Sequence, residues 1–494
     1  MEREGIQPGE KFNLKTSGNG LSVTVGTPNT KSDRKKTLKK LSLETIMEIS
    51  NILNLSKRKT GLLCREIRSS FGKNSVESNL HQHMCKLHEE LDEFYSIKEE
   101  HFESGDQEIR RDIVHIKDTS NLILHIIRER ALDPHNTIAR ISVDSGQNML
   151  KVVLNVFDPD EKETTSIHDD AGVKRSIILA LVEDVPEKNN NLKKVLDPLR
   201  LEEVDYKLAF DLKAANAIFG LSAHSGKYAC LYCDGECCLE SGEKRTLGSI
   251  DRNFLAYTEN GSNPATMKDF KNCISPRLVY LDEPEDTLLE HLVPPPELHI
   301  FIGIVTLFVK VLLSLWPGME EWMKSNYILF RNYHGIGVDG NNANRFMKRL
   351  DQLQFDIFAA AQLEPILMSL VPVIDCLRIF QEIQQKSFGM TKGSNLQEDV
   401  ERFKESFGKL QQILLSKFNY NLRVSWKVHI LVNHLTPFLE KTPYGLGVFS
   451  EQSGESAHHH HNEVWKRFKR RIDHHDYGPQ LKKSVVEYGL CNLK

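Results

Sequence analysis

The chain has 494 residues, of which 40% are hydrophobic and 27% charged, and its formal net charge is −4. This length and composition exclude a disordered or fibrous polymer and predict roughly two to four packed domains. A net charge close to zero argues against a wholly basic coat protein for nucleic acid, so any nucleic-acid surface must be local. Nine cysteines, an odd number, do not suit a secreted disulfide framework and favour a reducing compartment.

Neither a secretory signal nor a membrane span is expected. The first forty residues are polar throughout, whereas a signal peptide needs an apolar run of about 7–15 residues. The most apolar segment, 300–316, is shorter than the roughly 20 residues that cross a bilayer and carries Lys310 in its middle. It predicts a buried helix, and we expect an intracellular protein without a membrane partner.

Residues 1–135 predict a flexible arm followed by helices. Residues 1–40 lack hydrophobic periodicity and end in a basic run, which predicts a disordered basic arm. Residues 41–135 predict a helical region, with a charged stretch to about residue 118 after three helices. The second helix carries Lys57, Arg58, Lys59, Arg65 and Arg68. The first two helices are either a candidate DNA-reading pair or a helical hairpin with a solvated charged face.

Residues 136–225 predict the first part of an α/β core. β-branched and aliphatic runs predict three strands, at 137–143, 149–157 and 176–182. A helix is predicted at 191–199, a short strand at 206–211 and a second helix at 212–219. This order of strands and helices is that of an RNase-H-like core.

The remaining chain predicts an interrupted core. Residues 226–440 are almost wholly helical in pattern and too long for a loop, which predicts a helical insertion between two halves of the core. Residues 441–480 predict a helix that completes the core, acidic and histidine-rich at its start and basic at its end. Residues 481–494 are predicted to be a C-terminal tail.

Three acidic residues are candidate ligands for hard cations. Asp144 and Asp211 end predicted strands whose ends lie side by side in such a sheet. Glu455 is the candidate third carboxylate, with Glu451 one helical turn earlier as the alternative. Carboxylate oxygens suit Mg²⁺ or Mn²⁺, and a pair of such ions supports phosphoryl transfer. The spacing alone does not distinguish a metal site from three acids that simply lie on the protein surface.

A second candidate site combines cysteines and histidines. Cys230 and Cys233 form a CxxC pair, which can place two thiolates on one zinc ion. His429 and His434 form an HxxxxH pair that could complete a tetrahedral site and join the two ends of the insertion. Rival ligands are Cys237 and Cys238. The alternative interpretation is a pair of buried thiols near two hydrogen-bonded core histidines, and a redox CxxC lacks the expected strand-to-helix entry.

The chain resembles the RAG/Transib group of DDE recombinases and transposases, which includes the catalytic subunit of the vertebrate V(D)J recombinase. The resemblance covers about residues 42 to 475. It rests on motifs in the same order, namely Val143-Asp144-Ser145-Gly146, Phe210-Asp211, Cys230-Leu231-Tyr232-Cys233-Asp234, Glu297-Leu298-His299-Ile300, the segment 339–344, His429 with His434, and the acidic run 450–456 followed by the basic segment 465–471.

The resemblance implies an α/β RNase-H-like catalytic core split by a large, mostly helical, zinc-bridged insertion. It implies a catalytic triad of Asp144, Asp211 and Glu455 that holds Mg²⁺ or Mn²⁺, with Glu455 preferred over Glu451. It also implies zinc at Cys230, Cys233, His429 and His434. The implied reaction is nicking of DNA followed by attack of the freed 3′-hydroxyl on a second phosphodiester.

The resemblance further implies double-stranded DNA at element ends as substrate, a homodimer, an accessory subunit and a nuclear location. The histidine run 458–461 is expected to be a solvated helix turn or an outer neighbour of the metal, and is left out of the site. No counterpart of the recombinase's sequence-reading N-terminal domain is found. The alternative function is a domesticated, catalytically inactive DNA-binding protein. No nucleophile elbow or phosphate-binding loop supports a hydrolase or an ATP-driven motor.

Overall fold

The computed structural model describes residues 11–15, 20–24, 40–52, 55, 57–146, 148–160, 175–222, 227–332 and 336–493. These residues divide into two compact units, Met1–Leu80 and His81–Lys494. The larger unit contains a mixed six-stranded sheet, a helical region and a buried Cys/His cluster.

The smaller unit contains a strand pair and two helices. Strands β1 (Lys11–Lys15) and β2 (Gly20–Thr24) pair antiparallel, although this segment was expected to be a disordered arm. The basic run 34–39 lies outside the described residues. Helices α1 (Leu43–Ile52) and α2 (Lys57–Phe71) confirm the predicted pair. Ser42 caps α1, because its Oγ accepts a hydrogen bond of 3.1 Å from the Thr45 N–H.

Six strands form the sheet of the larger unit. They are β3 (Tyr95–Ser104), β4 (Gln107–Ile116), β5 (Ile138–Gly146), β6 (Met149–Phe157), β7 (Ser176–Glu183) and β8 (Lys207–Leu208). Their spatial order is β3-β4-β7-β6-β5-β8, and every pair is antiparallel except β5 with β8, which is parallel. Every residue of β6 and β7 is buried, so both faces of the sheet centre are covered. The strands predicted at 137–143, 149–157 and 176–182 are confirmed.

Strands β3 and β4 correct the prediction for 41–135, which was a helical region with only a charged stretch to about residue 118 after its third helix. Only α3 (Leu80–Glu93) and α4 (Thr119–Glu129) are helical after residue 80 in that region. The strands were missed because their charged side chains face water and interrupt the apolar alternation. The two-residue turn between them has Gly105 at φ 62°, and Gly-Asp at such a position is a hairpin signal that the sequence did contain.

The other helices of the larger unit follow in chain order. They are α5 (Asn189–Leu196), α6 (Leu212–Ile218), α7 (Leu247–Glu259), α8 (Leu289–Leu292), α9 (Glu297–Leu315), α10 (Met319–Ser325), α11 (Gly340–Met347), α12 (Leu350–Ala361), α13 (Val371–Ser387), α14 (Leu396–Phe418), α15 (Trp426–Asn433), α16 (Leu435–Glu440), α17 (Gln452–Trp465) and α18 (Tyr477–Asn492). A short pair, β9 (Arg331–Asn332) and β10 (Ile336–Gly337), lies within the helical part.

Helix α9 is long and apolar enough to cross a membrane by length and composition alone. Core helices pass the same test, and α9 contributes apolar side chains to the core along its length. Its fully buried residues include Ile300, Ile304, Val305, Phe308, Val309, Val311 and Leu312. Phe308 packs edge-on against Phe407 of α14, with ring centroids 6.1 Å apart.

Helix α18 corrects the prediction of a C-terminal tail at 481–494. It packs against α17 and against strands β3, β4 and β7 of the sheet. Leu481, Val485 and Val486 are completely buried, and the Tyr488 hydroxyl lies 2.6 Å from Ser176 Oγ in β7. Burial of these side chains makes the end of the chain part of the core.

Candidate functional site

The three predicted acids come from different elements of the same part of the larger unit. Asp144 lies in β5, and Asp211 is the N-cap of α6, three residues beyond β8, the parallel neighbour of β5. Glu455 lies in the first turn of α17, which packs on β5 and β6. A Cβ added at Gly454 would lie 2.9 Å from Ser142 Oγ, so this glycine allows α17 to approach β5 closely.

The electrostatics of Glu455 connect it to both aspartates. Partial burial raises the pKa of Glu455 to about 7; the charge of His299 opposes this shift, while the charges of Asp144, Glu451 and Asp211 add to it. The acids therefore share one electrostatic environment in which their negative charges repel. Oxygen donors with this mutual repulsion fit a divalent cation, which would neutralise them.

Glu451, the alternative third acid, is committed to a different contact. It is buried, and its Oε1 accepts hydrogen bonds from the backbone N–H of Leu298 (3.1 Å) and of His299 (3.2 Å) at the start of α9. His299 Nδ1 lies 3.0 Å from the same oxygen. Glu455 is 45% exposed at its side chain and lies 3.6 Å from His299 Nε2. Of the two, Glu455 is therefore the one with an oxygen available to a ligand.

His299 links the two glutamates and was only a sequence landmark. Burial lowers the pKa of His299, but the hydrogen bond and charge of Glu451 and the charges of Asp211 and Glu455 raise it to about 9. Its ring is thus protonated at neutral pH and places a positive charge among the acids.

A histidine that the sequence analysis left out of the site lies directly against Asp144. His458 is buried, with Nε2 at 3.0 Å from Asp144 Oδ2 and Nδ1 at 3.0 Å from Lys151 Nζ. His461 is also buried and lies 3.1 Å from Ser484 Oγ, whereas His459 and His460 are exposed. Two residues of the run 458–461 are therefore buried and two are exposed. This pattern follows from helix geometry, because positions i and i+3 share one face of a helix. The signal in the sequence was the spacing of three residues from Glu455 to His458.

A fourth acid, Glu187, supports the ends of both aspartate-bearing segments. Its Oε2 accepts hydrogen bonds from Ser145 Oγ (2.6 Å) and from Lys213 Nζ (2.7 Å). Ser145 follows Asp144, and Lys213 lies in the first turn after Asp211. Burial, followed by the charge of Asp211, raises the pKa of Glu187. Nothing in its own sequence neighbourhood marks Glu187, because the contact depends on the sheet.

The predicted Cys/His cluster is assembled by the fold. Cys230, Cys233, His429 and His434 are buried, with potential ligand atoms all within 4.8 Å of one another. Cys230 Sγ lies 3.5 Å from His434 Nε2, Cys233 Sγ lies 3.3 Å from His429 Nε2, and the two Nε2 atoms are 3.4 Å apart. A tetrahedral zinc ion requires edges of about 3.5 Å between sulfur and nitrogen and about 3.4 Å between nitrogens. These four residues could hold a metal ion, and their spacing is consistent with zinc.

Outer contacts orient the histidines as metal ligands require. His429 Nδ1 lies 2.7 Å from the Cys238 carbonyl oxygen, and His434 Nδ1 lies 2.7 Å from Glu290 Oε2. In each ring the outer nitrogen is thereby engaged and Nε2 faces the cluster. The rival ligands are directed elsewhere, because Cys237 Sγ contacts the Val424 carbonyl and Cys238 is exposed.

The backbone of the cysteine loop is fixed by a buried arginine. Arg245 is buried, and its Nε donates to the carbonyl oxygens of Cys230 and Cys233, each at 3.1 Å. The hydrogen bond from Cys230 lowers the pKa of Cys233 well below its usual range, whereas burial raises the pKa of Cys230.

No known family model matches this sequence, and no curated protein is significantly similar to it.

One pH-dependent property arises from Glu297, the first residue of α9. Burial, together with the charge of Glu451, raises the pKa of Glu297 to about 8, from an ordinary value of 4.5. A raised pKa in the folded state contributes stability that is complete below pH 4.5 and is lost as pH rises through about 8. Over this window we expect the Glu297 contribution to the free energy of unfolding to fall by on the order of 5 kcal/mol.

Urea unfolding at several pH values between 4 and 9 checks this prediction. The variant Glu297→Gln, which cannot ionise and can still pair with Gln452, should show a clearly smaller pH dependence than the parent and be more stable than the parent at pH 9. Some dependence should remain, because the pKa values of Glu455 and His299 are also raised. The control Glu283→Gln removes an exposed acid and should retain the parent slope. An unchanged slope in Glu297→Gln would contradict the assignment.

Proposed function

We propose that the chain is a metal-dependent DNA transposase or recombinase. It nicks DNA and joins strands by phosphoryl transfer, with Asp144, Asp211 and Glu455 as the DDE triad. The observation that carries the proposal is the convergence of these acids from β5, from the turn after β8 and from α17, with the charges of both aspartates raising the pKa of Glu455.

The sheet supports an RNase-H-like core. In such a core three antiparallel strands are followed by a fourth that lies parallel to the first, and β5, β6, β7 and β8 have this arrangement. The chain departs from the minimal core at the β7 edge, where β3 and β4 extend the sheet. The long helical segment between α6 and α17 supports the interpretation of an insertion that interrupts the core.

The chain's own residues would bind and orient the reacting groups. Asp144, Asp211 and Glu455 would hold two divalent cations, which when bound activate an attacking hydroxyl and stabilise the leaving oxygen. Asp211 is fixed in place because its Oδ1 accepts a hydrogen bond of 2.6 Å from the Ala214 N–H. Glu451 holds His299 beside Glu455, which keeps a positive charge next to the third acid.

Exposed basic residues support DNA as the substrate. Lys466, Lys469, Arg470 and Arg471 are exposed immediately after α17, the helix that bears Glu455. Positive side chains at this position could contact phosphates next to the acids. In the smaller unit, Arg58, Lys59 and Arg65 of α2 are exposed and are candidate contacts for phosphates. A homodimer, an accessory subunit and a nuclear location remain expectations of the same proposal.

We further propose that zinc occupies the Cys/His cluster and has a structural role. Four protein ligands leave no open position for substrate, as in structural zinc sites. The ion would join the segment after α6 to the end of α15, which lie at the two ends of the insertion.

A cleavage assay with the purified full-length chain tests the proposed activity. Labelled duplexes carrying the genomic sequences that flank the coding region are incubated with the protein in MgCl₂, MnCl₂ or EDTA. We expect nicks with free 3′-hydroxyl ends and, later, hairpin or joined products, all of them abolished by EDTA.

DNA binding without any cleavage in either metal would contradict the proposal and favour the inactive DNA-binding alternative. Absence of both binding and cleavage on these duplexes and on a supercoiled plasmid would contradict a nucleic-acid function altogether.

A further inference from the structure

A buried row of polar side chains leads from strand β6 to Asp144. Lys151 is completely buried, and its Nζ lies 3.0 Å from Nδ1 of His458. The other ring nitrogen, Nε2, lies 3.0 Å from Asp144 Oδ2. Lys151 and Asp144 are register partners on neighbouring antiparallel strands, so their side chains stand on the same face of the sheet and the imidazole lies against both.

We propose that His458, supported by Lys151, is a positioning residue that fixes one oxygen of Asp144 and leaves the other for a divalent cation. The inference rests on the proposed function, since it gives Asp144 the role of a metal ligand. His458 would act only through Asp144, without contact to substrate.

The donors and acceptors in this row follow from the hydrogen-bonding groups of each side chain. In its ammonium form Lys151 has three donors and no acceptor, so it donates to Nδ1 of His458, and this tautomer places the ring proton on Nε2, next to Asp144. The 3.0 Å contact at Nε2 is off the straight line of the N–H, and Nε2 has no hydrogen bond of good geometry among the described residues. A buried N–H without a well-aligned acceptor gains free energy when it donates to the Asp144 oxygen that lies 3.0 Å from Nε2.

The backbone leaves room for this ring. A Cβ added at Gly146, two residues after Asp144, would lie 3.2 Å from His458 Cγ. A side chain there would push the imidazole away from the end of β5. The glycine of the Val143-Asp144-Ser145-Gly146 motif therefore has a packing reason that involves His458.

Packing alone does not explain why a lysine occupies the buried position 151. Complete burial of an ammonium group is costly, and a methionine of similar length would fill the same volume without that cost. Groups that orient a metal ligand through a hydrogen bond typically change metal affinity by about 10- to 100-fold when removed. The geometry fits that role.

The test measures Mn²⁺ binding to the zinc-loaded full-length chain by the electron paramagnetic resonance signal of free Mn²⁺. Two variants of His458 distinguish the role of Nε2 from that of Nδ1. In His458→Gln the amide nitrogen takes the place of Nε2 and can donate to Asp144, whereas in His458→Asn the amide oxygen takes the place of Nδ1 and can only accept from Lys151. Asp144→Asn provides the reference for loss of the site.

We expect His458→Gln to bind Mn²⁺ within about threefold of the parent and His458→Asn to bind about tenfold more weakly. Equal affinities for the parent and His458→Asn, or equal weakening of both variants, would overturn the inference while leaving the metal site intact. If Asp144→Asn binds Mn²⁺ as the parent does, the proposed function fails, and this inference fails with it.

Lys151→Met tests the support given by the lysine. We expect its Mn²⁺ affinity to fall about as far as that of His458→Asn, while its thermal unfolding midpoint stays equal or rises. Opposite changes in affinity and stability distinguish positioning from a purely structural role. Parent-like affinity in Lys151→Met would overturn the role of the lysine.

Discussion

Replacement of Asp211 with Asn is expected to reduce Mg²⁺-dependent nicking by about 10³-fold or more while leaving the fold intact. Loss of an anionic ligand from a catalytic metal site removes on the order of 4 kcal/mol of transition-state stabilisation. The fold should survive because Asp211 caps α6 through a 2.6 Å hydrogen bond from the Ala214 N–H, and asparagine is an equally good N-cap. Asp144→Asn and Glu455→Gln should show losses of the same order.

Initial nicking rates in MgCl₂, with circular dichroism melting of each variant, measure the effect. Asp118→Asn is a matched control, because Asp118 caps α4 in the same way, accepting a 2.8 Å hydrogen bond from the Asn121 N–H. Its activity and melting should equal those of the parent. Full nicking by the three site variants would exclude the DDE assignment.

Much of the site was predictable from local sequence, because the signals are local. The aliphatic run at 149–157 predicted β6 with its observed bounds, and a strand followed by an acid predicted the position of Asp211 at a helix start. The CxxC and HxxxxH spacings named all four members of the buried cluster, although Cys233 and His429 are 196 residues apart. Donor type and short-range spacing made these four residues candidates, while Cys237 and Cys238 stayed open as rival ligands on spacing alone.

The parts that the sequence did not reveal depend on tertiary contacts. Lys151 and His458 are buried polar groups, and their pairing requires β6 to lie beneath α17. Strands β3 and β4 are charged on the face that water reaches, so their periodicity is weak. The sequence named Glu455 as the candidate with Glu451 as the alternative, and the family resemblance strengthened the preference for Glu455. The geometric reason is a tertiary contact, because Glu451 accepts hydrogen bonds from the backbone at the start of α9.

Replacement of Cys230 with Ser together with His434 with Ala is expected to remove one zinc ion per chain and to unfold the insertion. Structural zinc sites bind with about 10–16 kcal/mol in isolated peptides, which is comparable to the whole stability of a typical domain. Without the ion, the remaining ligands Cys233 and His429 and the charged residues Glu290 and Arg245 would stay buried but would lack the cation that the cluster is built to hold. The ion also closes a long chain segment, since the cysteine and histidine pairs flank α7 to α14.

Metal analysis of purified protein and limited proteolysis measure this second prediction. The parent should contain about one zinc and resist cleavage between α7 and α14, whereas the double variant should contain none and be cleaved there. Cys238→Ser is the matched control, because its exposed thiol lies outside the cluster and only its carbonyl oxygen contacts His429. It should keep the zinc. A parent without zinc, or a double variant that keeps it, would contradict the assignment of the four ligands, whereas a zinc-free variant that resists proteolysis would contradict only the structural role of the ion.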